Sequence, residues 1–176
     1  MTYFYTLATS TMDISLASFI SVLLFTFTYN LVAAQCPDGF VNHGNSCYHF
    51  SHDTETWLDA LDACEKLYSA YLAEIEGPDE NNFLTNEVNL LRSDFWIGAN
   101  DMQVEGEWKW FTSKTDVKYS TWSPGNPSNS YDDENCMEFH DGDGTGPLKP
   151  LWNDKTCHVF QRYICEKAKE DSEIVG

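Results

Sequence analysis

Residues 122–136 read WSPGNPSNSYDDENC, and no secondary-structure period runs through them. Apolar side chains recur neither at the 3.6-residue spacing of a helix nor at the alternate positions of a half-buried strand. Pro124-Gly125 and Asn126-Pro127 punctuate the backbone, and Asp132, Asp133, Glu134 and Asn135 lead into Cys136. The same polar, Pro/Gly/Asn-rich texture reaches back to Phe111. A long irregular segment inside a compact domain is usually a functional loop. The rest of the chain is then read as the scaffold that holds it.

That scaffold has its own signals on both sides. Downstream of the loop, Cys136–Phe139 and Val159–Cys165 are short strand candidates, as are Phe95–Gly98 and Trp108–Phe111 upstream, all rich in aromatic or β-branched residues. Trp57, Leu61, Cys64 and Tyr68 fall on one helical face, with Thr54 or Thr56 as the cap and Asp59 imitating a capping box. Gly77-Pro78 breaks the chain and opens a second helix, Pro78 to about Leu91, with Asp79 and Glu80 at its positive end and Phe83, Leu84, Val88 and Leu91 as its apolar face. Phe40–Phe50 reads as a hairpin turning at Gly44-Asn45. Two helices followed by short strands make an α+β domain.

The chain of 176 residues has room for one ordinary domain. At 42% hydrophobic and 15% aromatic it can build a core, which excludes wholesale disorder. Ten Lys and Arg against 28 Asp and Glu leave a net charge of −18, which excludes a nucleic-acid backbone as partner. From Ile14 to Ala34 the chain is apolar or hydroxylic but for Asn30. Val32 and Ala34 precede Gln35 as a cleavage site would require, so residues 1–34 read as a secretory signal peptide, with Met12 an alternative start. A membrane anchor fits less well, since no Lys or Arg precedes Lys66 to flank the apolar run. The domain then spans 35–169, and 170–176 is a short acidic tail. In a secreted chain six Cys imply three disulfides, with 15 pairings open to spacing alone.

Other motifs fall short. Asp141-Gly142-Asp143-Gly144-Thr145-Gly146 imitates an EF-hand start, but Trp152 stands where the closing Glu belongs. His49 and His52 are a weak metal suspicion and read as solvent-facing. His43, His49, His52, His140 and His158 have no nucleophile at a recognisable motif, so an enzyme is not expected. Trp57, Trp96 and Trp152 read as core, whereas Trp108, Trp110 and Trp122 fit core and ligand platform alike.

Trp96-Ile97-Gly98-Ala99, Trp122-x-Pro-Gly-Asn-Pro127, Glu134-Asn135-Cys136 and Trp152-Asn153-Asp154 follow one another in order. Together with the six Cys they resemble a C-type lectin domain, from Cys36 to about Lys167. The opening Cys36-Pro37-x-Gly39-Phe40 and the Trp-Ser-Pro-Gly-x-Pro run are most similar to the perlucin-like molluscan group. The resemblance implies the pairs Cys36–Cys47, Cys64–Cys165 and Cys136–Cys157, the first marking the long form of the domain. It implies a loop Ca²⁺ that takes two vicinal sugar hydroxyls into its shell of 6–8 oxygens. The ligands it implies are Asn126, Ser128, Glu134, Asn153 and Asp154, with Pro127 in the cis form. It also implies a second Ca²⁺ site at Asp101, Glu105, Asn129, Glu134 and Asn135.

Here the chain departs from the pattern it resembles. Mannose-type members carry Glu-Pro-Asn and galactose-type members Gln-Pro-Asp, against Asn126-Pro127-Ser128. Only Glu134 and Asp154 supply carboxylates to the principal site, where the usual sets supply three. Affinity follows ligand charge, so Ca²⁺ binding toward the ~10⁻⁴–10⁻³ M of extracellular modules is expected. The implied function is a secreted carbohydrate-binding lectin of weakened specificity, suited to microbial or matrix glycans in innate pattern recognition. The alternative is an extracellular matrix protein contacting calcium mineral through its acidic surface.

Overall fold

A computed structural model describes residues 36–141 and 150–169. The leader 1–34 with Met12 and Gln35, most of the EF-hand-like segment, and the tail 170–176 lie outside the described residues. Strands β1 (Val41–His43) and β2 (Ser46–Phe50) pair across Gly44-Asn45 as a hairpin. Helix α1 (Trp57–Tyr68) starts where the Thr56 hydroxyl accepts the Asp59 N–H, making Thr56 rather than Thr54 the cap. Strand β3 (Tyr71–Leu72) follows, then helix α2 (Pro78–Leu91) with its proline in the first turn. Strands β4 (Phe95–Asn100), β5 (Lys109–Trp110), β6 (Cys136–His140), β7 (Leu151–Lys155) and β8 (Arg162–Ala168) complete the described elements. The sheet runs β1-β2-β8-β4-β6-β7, with β3 also on β8 and β5 also on β4. The β4–β8 pair is parallel and the other named pairs are antiparallel.

Strand β3 is absent from the sequence reading, β4 and β6 run past the expected Phe95–Gly98 and Cys136–Phe139, and four further details differ. The Trp108–Phe111 strand shrinks to Lys109–Trp110, because residues 111–114 turn back and Trp110 takes the Lys114 N–H and gives its own to Thr115. The Val159–Cys165 strand shifts to Arg162–Ala168: Val159 closes a turn onto Thr156, whereas Glu166, Lys167 and Ala168 find partners on β2. Strand β7 was not expected at all, because its inward positions alternate Trp152 with the carboxylate Asp154 and so carry no apolar period. On α2, Asn81 and Thr85 are buried beside Leu84 and Val88, while Phe83 and Leu91 are only partly buried. Asn81 is tolerated inside because its carbonyl accepts the Trp152 indole N–H at 3.0 Å and the Thr121 hydroxyl at 3.3 Å.

Trp57, Trp96 and Trp152 are fully buried, the first two in one apolar cluster and Trp152 in a second that Trp108 and Trp110 join, with Trp122 packed at its edge. Trp152 meets Trp110, Tyr119, Trp122 and Phe139 edge-on, the arrangement that aromatic quadrupoles favour. Gly98 is required where β4 passes β3: a Cβ there would stand 2.6 Å from the Leu72 carbonyl oxygen. Disulfides join Cys36 to Cys47, Cys64 to Cys165 and Cys136 to Cys157. Among the described residues no helix is long and apolar enough to cross a membrane.

Candidate functional site

The loop that precedes β6 is folded back onto β7. Its Asn126–Pro127 peptide bond is cis. The Asn126 amide donates to the Ser123 hydroxyl at 2.5 Å and to the Asn153 carbonyl. Past the proline, the backbone N–H groups of Ser128 and Asn129 converge on one Asp154 oxygen, Oδ2, at 2.7 and 2.6 Å. The Ser128 hydroxyl and the Ser130 N–H both donate to Glu134 Oε2, at 3.0 and 2.9 Å. Asn129, Tyr131 and Asp132 adopt left-handed backbone conformations, a concentration of strain of the kind found at binding loops.

These contacts bring Asn126, Ser128, Glu134, Asn153 and Asp154 together. Asn153 is oriented from behind, its Nδ2 donating to Glu138 Oε1 at 2.7 Å. Glu138 is buried on β6, and burial pushes its carboxyl up to about 7, with the Asp94 charge adding to the push. Sequence reasoning missed Glu138. The available signal was a carboxylate flanked by Cys136, Met137 and Phe139 in a strand that is otherwise apolar.

A second group of acids adjoins the first. Asp101 ends the β4 segment, with Oδ2 accepting the Gly106 N–H at 2.8 Å and its own N–H donating to the Asn135 carbonyl at 3.2 Å. Burial raises the Asp101 carboxyl above the usual range, and the charge of Asp154 raises it further. Glu105 is exposed; some loss of solvation, then Asp101, with Asp154 and Asp132 behind it, push its carboxyl up, while a hydrogen bond from Asn129 opposes them. Asn129 also accepts the Glu134 N–H at 3.2 Å. Asp101, Glu105, Asn129 and Glu134 thus share one neighbourhood, and Asn135 is tied to it through its backbone.

The arrangement fits a hard cation. Asp154 has no exposed surface and Asp101 2%, yet Oδ1 of each has no hydrogen-bond partner. A buried carboxylate oxygen left bare is costly, and mutual repulsion adds to the cost. A Ca²⁺ ion held by this all-oxygen donor set would relieve both. Asn126 faces Asn153 with its NH₂; turning the amide over presents a carbonyl oxygen instead.

Residues 53–167 match the family model of the lectin C-type domain. The chain belongs to the C-type lectin domain family. It is 36% identical to perlucin of Haliotis laevigata over 136 residues, 76% of this chain and 84% of that one. A perlucin-like protein of Mytilus galloprovincialis is 30% identical over 155 residues, 81% of this chain and 95% of that one. Among solved structures, the cow carbohydrate-recognition domain of CD23, crystallised in the presence of a GlcNAc2Man3 oligosaccharide, superposes with a TM-score of 0.68. It is 30% identical and covers 78% of this chain and 98% of that one. Membership makes the chain a binding domain of perlucin-like type, in a family whose general ligands are carbohydrate and Ca²⁺.

Proposed function

We propose that the chain is a secreted lectin that binds carbohydrate through Ca²⁺ in the loop, with weak and broad sugar preference, in innate recognition of glycans. The observation that carries this reading is the fully buried Asp154, one oxygen fixed by two backbone N–H groups and the other bare, within a cluster of oxygen donors. Asn126, Ser128, Glu134, Asn153 and Asp154 would hold the principal ion. Asp101, Glu105, Asn129, Glu134 and Asn135 would hold a second. When bound, the principal ion supplies two coordination positions for vicinal sugar hydroxyls.

The protein's own groups then set preference. With its carbonyl on the metal, Asn126 can only donate to the sugar, as in the galactose-type order. Ser128 must accept, and a neutral hydroxyl accepts more weakly than a carboxylate. Binding is therefore expected to fade with a chelator and to discriminate poorly between mannose and galactose. Secretion is supported by the apolar leader 1–34 and the three disulfides, and N-terminal sequencing beginning at Gln35 checks it.

The deciding experiment is a sugar panel with and without Ca²⁺, run on the native chain and on Asn126→Glu/Ser128→Asn. The double substitution restores a third carboxylate, so Ca²⁺ affinity should rise and preference should move toward mannose. Unchanged Ca²⁺ affinity removes the loop site from the proposal. The net charge of −18 and the likeness to perlucin then favour a matrix protein that contacts calcium mineral, detected as adsorption to carbonate crystals that free sugar does not compete away.

A further inference from the structure

Behind the loop, at the far end of the β4–β6 pair, lies a second group of potential ligands with different chemistry. Asp94 immediately precedes β4, and its neighbour Phe95 pairs with Phe139 on β6. Glu138 and His140, two residues apart on β6, project to the same side of the strand. His140 Nδ1 is 3.1 Å from Asp94 Oδ1 and 3.9 Å from Glu138 Oε1. One donor atom from each of the three residues lies within 4.8 Å of the other two.

A surface ion pair between His140 and Asp94 explains only part of this. Asp94 also accepts the Asp141 N–H at 2.8 Å, which fixes its carboxylate in place. Glu138 is the unexplained member. Its side chain is 1% exposed and Oε1 is taken by Asn153, while Oε2 makes no well-formed hydrogen bond and has beside it only the neutral amide of Gln161, which brings no counter-charge. A carboxylate so deeply placed needs a counter-charge within reach, and a half-exposed imidazole 3.9 Å away is a poor one.

We infer that Asp94, Glu138 and His140 form a transition-metal site, selective for Zn²⁺ over Ca²⁺. The donor set selects the metal: an imidazole nitrogen with two carboxylates suits zinc, whereas Ca²⁺ takes oxygens. Zinc holds nitrogen and oxygen ligands at about 2.0–2.2 Å in tetrahedral geometry, which places neighbouring donors roughly 3.3 Å apart. The Nδ1–Oδ1 separation of 3.1 Å already meets that, and Glu138 needs only a small approach. Asp94 and His140 are 38% and 42% exposed, giving an entry path and a fourth position for water. The site shares Glu138 with the support of Asn153 but none of the oxygen donors assigned to Ca²⁺, so it stands whether or not the sugar-binding proposal does.

The test is calorimetric titration of Zn²⁺ into the intact disulfide-bonded protein held in excess Ca²⁺, which occupies the loop. One saturable equivalent is expected. His140→Gln and Asp94→Asn should each weaken it about tenfold or more, since even outer-shell changes cost 10–100-fold at metal sites. Glu138 is left intact because it also holds Asn153. His43→Gln, which removes a different imidazole–carboxylate pair with Asp79, should leave the affinity unchanged. Co²⁺ in place of Zn²⁺ gives a second readout: visible d–d absorption of a four-coordinate ion that is lost in His140→Gln while far-UV circular dichroism is retained. No saturable Zn²⁺ binding, or binding equal in the native chain and both site variants, overturns the assignment.

Discussion

The disulfides Cys64–Cys165 and Cys136–Cys157 are rooted in one apolar cluster but serve parts of the chain built on opposite principles, the first the scaffold and the second the polar loop. Around the first, Trp57, Ala60, Leu72, Trp96 and Tyr163 are buried together, and the indole N–H groups of Trp57 and Trp96 reach the carbonyls of Ile97 and Glu55 at 2.9 and 3.0 Å. Both indoles are satisfied by the chain itself. The second ties β6 to the segment after β7, beneath a loop where Asp101 and Asp154 are buried with bare oxygens. One region reaches its free-energy minimum by folding alone. The other is folded but left polar and repulsive, and under the proposed function a bound cation would lower its energy further. Structural and binding roles are therefore separable by substitution.

The largest contrast should come from the disulfides. Cys64 and Cys165 are 101 residues apart, so in the chain-entropy model their bond contributes about 4.7 kcal/mol, much of a small domain's whole stability. Cys64→Ser/Cys165→Ser should fail to fold or melt far below the native chain. Cys136 and Cys157 close 21 residues, worth roughly 3 kcal/mol in the same model. Cys136→Ser/Cys157→Ser should keep a cooperative unfolding transition while losing Ca²⁺-dependent stabilisation. Thermal unfolding with and without Ca²⁺ measures both. Equal damage from the two pairs would dissolve the distinction between regions.

The first region also contains one group at odds with its surroundings. Glu166 on β8 accepts from the Ser46 hydroxyl at 2.8 Å and the Glu74 N–H at 3.1 Å. Burial, and next the charge of Glu80, push its carboxyl up to about 7 from 4.5. The folded state thus holds a proton that the unfolded chain releases between those values. Its contribution to stability is full below about pH 4.5 and is withdrawn as pH rises through about 7, to the order of 3 kcal/mol. Glu166→Gln should flatten that part of the stability profile. Denaturant unfolding at half-unit pH steps reads the difference between the two chains. A parallel offset at every pH would mean that Glu166 titrates alike in the folded and unfolded chain.

The two regions were not equally legible. Local rules are strong where a side chain acts on its own backbone, so a threonine cap at 54 or 56, the Gly44-Asn45 hairpin and the Pro78 helix start could all be read from the chain. Apolar periodicity worked for α1 and failed for β7, where Asp154 occupies an inward position that a hydrophobic residue usually fills. The candidate ligands were readable as residue types in a spaced motif. Their arrangement was not, because which Asp154 oxygen is bare depends on Ser128 and Asn129 turning their N–H groups toward a strand 25 residues away. Glu138 stayed hidden for a related reason: its partners Asn153, Asp94 and His140 meet it only once β4, β6 and β7 are side by side.

Asp154→Asn should change stability least and so separate the regions most cleanly. An amide oxygen at the same place still accepts the Ser128 and Asn129 N–H groups, so the loop keeps its anchor. Its NH₂ replaces the bare Oδ1, removing one buried charge and one source of the repulsion that raises the Asp101 carboxyl. The Ca²⁺-free variant should therefore melt within about 1 kcal/mol of the native chain, since relief of a buried charge and of its repulsion with Asp101 offsets the cost of burying one NH₂ group. The native chain should gain about 1.4 kcal/mol when Ca²⁺ is supplied at ten times its Kd. The variant should gain almost nothing, because its principal site has lost one of two carboxylates. Melting curves in a chelator and in rising Ca²⁺ give both numbers from one preparation. If the variant collapses in the chelator, Asp154 is part of the scaffold. If it still gains from Ca²⁺ as the native chain does, the bare oxygen is not where the cation sits.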